Sequence, residues 1–286
     1  MTTGPRDLRL SARRTDAERV VPVRHPLRWA FIVVVALFLV MLAHGLVTNR
    51  QFKWPLVAAY LFNEEVVAGV ARTVGLTAAA MAMGLVLGTA LALMRLSESR
   101  FLSGLSWSYV WFFRATPVLV QIIFWYNFGA LYAMFSLGVP FGPELLTFKI
   151  NNVITPLAAA LLGLGLNQAA YTAEIIRGGI ISVDRGQTEA ALALGMSGAL
   201  VYRRIVLPQA MRVIIPPVGN EVISMVKNST LVSVIALAEL LYSVQLIYSR
   251  TYQTIPLLVV ACVWYLAIVS VLSVGQHFLE RRYGRR

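Results

Sequence analysis

Glu189-Ala190-Ala191-Leu192-Ala193-Leu194-Gly195, followed after nine residues by Ile205-Val206-Leu207-Pro208, is a moderately polar island in a very apolar chain. Asp184 and Arg185 precede it, and Arg203, Arg204 and Arg212 follow its start, so the island belongs outside the lipid. Ala, Leu and Glu favour helix, Gly195 suits a helix C-terminus or tight turn, and Pro208 can stand in the first turn of a new helix. The spacing predicts a short helix, a turn and a return into the membrane. On composition alone the same stretch is an ordinary alanine-rich connecting helix.

The rest of the chain is too apolar for a soluble globule. Of 286 residues, 58% are hydrophobic and 13% charged, and the mean hydropathy is +0.71, which leaves too few polar side chains to cover a water-facing surface. The fold class expected is an all-α integral membrane protein. A net charge of +12 raises the question of nucleic acid, but the basic residues are Arg clusters beside apolar runs, with no basic groove interleaved with aromatics. Membrane lipid and orientation account for them, and nucleic acid is excluded as a partner. The single cysteine, Cys262, sits in an apolar run with no partner for a disulfide or a metal site and reads as a packing residue. No metal and no cofactor held by this chain are expected.

Residues 1–28 carry seven Arg, Asp7, Asp16, Glu18 and several prolines without an apolar period, and read as a disordered cytoplasmic tail. The next run, 29–48, is longer than a signal-peptide core, and Ala43-His44-Gly45 is a poor cleavage site, so it is expected to stay as an additional N-terminal transmembrane helix. Five more spans of about 20 apolar residues are expected: 66–94, 107–135, 153–176, 211–229 and 255–278. The stretch 231–248, with Glu239 and Gln245, reads either as a re-entrant or interfacial helix or as a continuation of the fifth span. If the tail is inside, eighteen Lys and Arg fall on inner segments and four on outer ones. That bias places both termini, and the Glu189 loop, in the cytoplasm of a multi-pass plasma (inner) membrane protein.

Polar residues inside spans are the candidates for a transport path, because lipid tolerates them only where protein or water meets them. Asn167, Tyr171 and Glu174 fall on one face of the fourth span, over about 10 Å. Asn220, Ser224 and Lys227 repeat that spacing in the fifth, with Glu221 beside them. Arg114, Pro117 and Gln121 share a face in the third. For Asn167, Gln121 and Asn220, interhelical hydrogen bonds explain the residues as well as substrate contact does. Arg114 and Glu174, near span ends, are open to a gate ion pair or snorkelling as well.

The pattern Glu-Ala-Ala, three residues, Gly195, nine residues, Ile205-x-Leu207-Pro208 resembles the cytoplasmic loop of ABC importer permeases, the transmembrane subunits of binding-protein-dependent transport systems. Three further stretches resemble the polar amino-acid subfamily. They are Arg114-Ala115-Thr116-Pro117-Val118-Leu119-Val120-Gln121; Ala170-Tyr171-Thr172-Ala173-Glu174-Ile175-Ile176-Arg177-Gly178-Gly179-Ile180, running into Val183-Asp184-Arg185-Gly186-Gln187; and Lys227-Asn228-Ser229-Thr230-Leu231-Val232-Ser233-Val234-Ile235. The likeness covers 66–281, the expected permease domain, with the coupling loop at 178–208. Ala115 stands where Gly is usual, Ser229-Thr230 stand where Thr-Ser is common, and the added first span is the largest departure.

The resemblance implies a type I importer fold with about six spans and a cytoplasmic coupling helix. It implies that Glu189, Ala190, Ala191, Gly195, Ile205, Leu207 and Pro208 form the surface that docks on the ATPase. It also implies the partners: a dimer of ATPase subunits that binds ATP and Mg, a second permease subunit, identical or related, and an extracytoplasmic amino-acid-binding protein. The translocation path expected for a polar amino acid is Arg114, Gln121, Asn167, Tyr171, Glu174, Asn220, Glu221 and Lys227. Independently of the resemblance, the only lysines follow Phe52, Phe148 and Val226, so no Gly-Lys phosphate loop exists here and the chain is not expected to be an enzyme. Two rivals stand beside this reading. A secondary transporter driven by an ion gradient would show inverted repeats or broken helices, for which Gly163 and Gly165 hint at flexibility. A membrane-embedded enzyme would need a constellation that His25, His44 and His277 do not provide.

Overall fold

The computed structural model describes residues 26–132, 134–138 and 144–283. Most of the expected tail, 1–25, lies outside the described residues. The chain forms two units, Met1–Arg50 and Gln51–Arg286.

The first unit holds α1, Pro26–Thr48. Its 23 residues span about 34 Å at 1.5 Å per residue, enough to cross a hydrocarbon core. Apolar side chains surround it on all sides and every described one is exposed, as on a helix that meets lipid.

The second unit runs α2 Trp54–Leu61, α3 Glu64–Leu96, α4 Arg100–Ala115, α5 Val118–Tyr126, α6 Phe128–Leu131, β1 Met134–Gly138, β2 Glu144–Lys149, α7 Ile150–Val153, α8 Pro156–Ile181, α9 Arg185–Ala193, α10 Gly198–Val201, α11 Leu207–Asn228, α12 Leu240–Thr251 and α13 Thr254–Tyr283. A π turn, Tyr202–Val206, joins α10 to α11, and a 3-10 segment, Ser229–Ile235, follows α11. Among the described residues α1, α3 and α13 are each long and apolar enough to cross a membrane, and the bent pair made of Gly198–Ile235 and α12 adds a fourth candidate.

α3 and α8 form the central pair, and small residues let their backbones approach. A Cβ on Gly84 would come within 2.6 Å of Gln168 Cγ, and one on Gly88 within 2.6 Å of the Thr172 Cβ. This small-xxx-small spacing allows the close van der Waals packing that holds helices together in lipid, where apolar burial gives no drive. Gly163 and Gly165 belong to the same packing, against Ile122 and Met83. A Cβ at Gly163 would press on the Ile122 backbone as well as its side chain, whereas one at Gly165 would meet the movable end of Met83.

One further expectation is corrected, and two gain detail. The third span, 107–135, is not one helix. Proline has no N–H to give the Phe113 carbonyl, and Thr116 before it is extended at φ −102, ψ 138, so the chain breaks into α4 and α5. The all-α class stands, with a two-stranded antiparallel hairpin added at the end assigned to that span, in which Phe135 pairs with Phe148 and Ser136 with Thr147. The stretch 231–248 is not one helix: its last part, α12, forms a bent pair with the segment before it, the shape of a broken span or a re-entrant loop. Ala236 sits in the left-handed region at φ 58, and α12 leaves at 46° to the segment before it. Glu239 caps α12: its carboxylate is fully buried and accepts from the N–H groups of Leu241 and Tyr242, both at 2.9 Å. It also accepts from Tyr265 Oη at 2.7 Å and Thr73 Oγ1 at 3.4 Å, tying α12 to α13 and α3.

Candidate functional site

The expected coupling helix is α9. Asp184 caps its N-terminus, its Oδ1 accepting from Gly186 N at 2.6 Å. At the other end Gly195 takes φ +82, where its N–H bonds Leu192 O at 2.9 Å and Met196 N–H bonds Ala191 O at 3.1 Å. That pair of bonds is the Schellman closure, which needs a residue without a Cβ penalty at the left-handed position. Ala191 turns inward to pack with Val201 and Val206, and Ile180, Val183, Met196 and Ile205 close around them. This small core fixes the loop.

Of the seven residues expected to couple, Ala191 is therefore an anchor and Ile205 is half-buried, while Glu189, Ala190, Gly195, Leu207 and Pro208 are exposed. Two exposed apolar residues belong to the same surface and were missed: Leu192, and Leu194 at 84% exposure beside the Gly195 turn. An apolar residue directly before a helix-ending glycine in a water-facing loop was the signal available. Pro208 stands in the first turn of the return helix, α11, as expected from its sequence. The helix runs on from α10 through the π turn, where Leu207 N–H reaches back five residues to Tyr202 O, and this widened turn accepts a proline without an N–H. Gln209 locks the junction, its Nε2 donating to Gln187 Oε1 at 2.6 Å and to Ile205 O at 3.0 Å.

The eight residues expected on a translocation path separate into three places. Asn167 Nδ2 donates to Phe113 O at 2.7 Å, and Gln121 Nε2 donates to the same oxygen at 3.0 Å and to Thr116 Oγ1 at 2.7 Å. Phe113 O is the carbonyl that Pro117 leaves without a helical donor, so both amides repair the α4–α5 break. The hydrogen-bond reading wins for these two.

Arg114, Tyr171 and Glu174 meet in a cavity of about 480 Å³ together with Arg95, Arg177, Trp107 and Trp111, and its lining has no residue of α11. The face shared by Asn167, Tyr171 and Glu174 thus points at α4 of the same chain. Arg177 grips Glu174 through Nη2 at 2.7 Å and Nε at 3.1 and 3.2 Å, and the Arg114 guanidinium stands 5.2 Å above the centre of the Tyr171 ring. Asn220, Glu221 and Lys227 occupy the third place, the outward side of α11. Asn220 and Lys227 are exposed and Glu221 half-exposed, and their side chains make no hydrogen bond or ion pair with any described residue.

Long apolar helices packed with a bent helix pair give the architecture of a multi-pass membrane protein. Residues 84–285 match the family described as binding-protein-dependent transport system inner membrane component, and the chain belongs to it. It is 42% identical over 264 residues to the arginine transport system permease protein ArgU of Corynebacterium glutamicum, covering 92% of this chain and 82% of that one. It is 39% identical over 211 residues to the nopaline transport system permease protein NocM of Agrobacterium fabrum, covering 73% and 83%. Among solved structures it is similar to that of an amino acid ABC transporter with histidines, at TM-score 0.67 and 32% identity, over 79% of this chain and 97% of the other. The fold is that of a type I ABC importer transmembrane domain. Family membership decides for the ABC permease over the secondary transporter.

Proposed function

We propose that this chain is the permease subunit of an ATP-driven importer and lines the passage for a polar amino acid handed over by an extracytoplasmic binding protein. The observation that carries the reading is the α9 loop, rigid in itself and presenting exposed Glu189, Leu192, Leu194 and Gly195 to water. A loop braced by its own small core can transmit a push, which a floppy one cannot. In this reading the ATPase dimer binds ATP and Mg, its closure carries the two α9 helices, and the bundle swings outward. Hydrolysis on the ATPase then restores the inward state. The names of the relatives favour an amino acid, arginine among them.

The passage is assigned to the α11 face of Asn220, Glu221 and Lys227, turned toward a second permease subunit. These polar groups have no partner among the described residues, and such residues in a span face a bundle interior or a water-filled cavity. Purified with the ATPase and binding protein encoded with it, the complex should hydrolyse ATP faster when the binding protein is loaded. Arginine and other polar amino acids should stimulate it and apolar ones should not. Equal rates with and without loaded binding protein would defeat the proposal.

Both termini are assigned to the cytoplasm from the Lys and Arg bias. A reporter active only outside the membrane should be silent when fused at Arg286 and active when inserted near Pro143. The opposite pattern would invert the topology and move the α9 loop away from ATP.

A further inference from the structure

The Arg114 cavity has features that passage of a substrate does not require. Three arginines face one carboxylate there, and that carboxylate is already held by Arg177. Arg95 is fixed by its Nη1 to the Ser103 carbonyl at 3.3 Å and hydroxyl at 3.2 Å, so its charge stays at the cavity while donors remain free. Arg114 is exposed and donates no hydrogen bond to any described residue; Tyr171 orients it from below. The site is thus built for an oxyanion, with two guanidiniums in hand.

The cavity mouth has the opposite chemistry. Trp107 and Trp111 stack at 6.2 Å and are 51% and 59% exposed, and α4 continues outward with Phe101, Leu105 and Phe112, all at least half exposed. Arg95 stands in the last turn of α3 and Arg100 opens α4, which sets this level at the end of a long apolar helix. Tryptophan and arginine together at such a level mark the boundary between acyl chains and head groups. A ligand that suits both halves has an anionic head and an apolar tail.

We propose that this cavity binds an anionic phospholipid, its phosphate taken by Arg114 and Arg95 and its acyl chain lying along Trp107 and Trp111. The basic pocket between helix ends is the arrangement that recognises anionic head groups, and the tryptophans exclude a soluble anion as the better fit. Glu174 keeps Arg177 from competing for the phosphate.

The test uses the whole complex with its ATPase and binding protein, in nanodiscs of phosphatidylcholine with or without phosphatidylglycerol. Lipid retained after detergent extraction is counted by native mass spectrometry, and melting is followed in parallel. Wild type should retain phosphatidylglycerol over phosphatidylcholine and melt higher in its presence. Arg114→Gln should lower that retention about five-fold, the loss of one near-surface cationic contact, and Arg114→Lys should recover part of it. Trp111→Ala should weaken retention without changing the preference for the anionic lipid. Arg250→Gln, whose partner is Glu65 at 3.7 Å, serves as the control and should change nothing.

Equal retention by wild type and Arg114→Gln would overturn the proposal. So would equal stabilisation of the detergent-solubilised complex by inorganic phosphate, which has no tail. Displacement of the lipid by transported amino acid alone, with KM raised in Arg114→Gln, would likewise overturn it and return the cavity to the passage.

Discussion

Uptake should collapse in Glu189→Lys and in Gly195→Asp while both chains still insert and fold. Glu189 is exposed on α9 and its side chain makes no bond with any described residue, and lysine is as good a helix former as glutamate, so the first change leaves α9 intact. A Cβ at Gly195 meets nothing within 4 Å, but at φ +82 any side chain strains the turn; aspartate tolerates this region better than most, so the second change strains the turn without a clash. What both variants alter is the surface offered to the ATPase. A misplaced charge in a docked interface costs several kcal/mol, on the order of a hundred-fold in association or more. Co-purification with the ATPase and substrate uptake should fall together, with membrane levels unchanged. Leu194→Asp should behave in the same way, since its side chain has little to lose inside the chain. Normal uptake in all three would remove α9 from the coupling role.

The difference between this loop and the rest of the chain lies in how far apart the deciding residues are. The α9 turn closes through bonds between residues three and five apart, Leu192 to Gly195 and Ala191 to Met196, so glycine in register was a sufficient signal. α1, α3 and α13 were readable because each is an unbroken apolar run. The break at Pro117 was visible as a proline, yet its consequence depended on Asn167, 54 residues away, supplying the missing donor to Phe113 O. The same distance hid α12. Nothing around Glu239 announces a cap until Thr73 and Tyr265 bury it. The hairpin was lost to its neighbour, because Phe135 follows an aromatic-rich helical segment and reads as its end. Helical periodicity placed Asn167, Tyr171 and Glu174 on one face correctly, but spacing carries no information about which helix that face meets. It meets α4.

That outcome sharpens the expected result for the two candidate carboxylates. Glu221 has no partner among the described residues, so Glu221→Gln leaves no cation there stranded and should not change melting or complex yield. If Glu221 meets the substrate, the variant loses a charge-assisted hydrogen bond worth about 1.5–3 kcal/mol, roughly ten- to a hundred-fold in kcat/KM. The loss should be larger for a cationic amino acid than for a neutral one, because only the former gains from a full negative charge. Glu174→Gln should do the reverse. Its three contacts with Arg177, at 2.7 to 3.2 Å, weaken when the charge goes, so melting and yield fall and every substrate suffers in equal proportion. Measuring uptake of several amino acids beside detergent melting, in one background, separates the two. A Glu221→Gln complex that melts early and loses all substrates alike would place that residue among the structural pairs, and the α11 face would no longer be the passage.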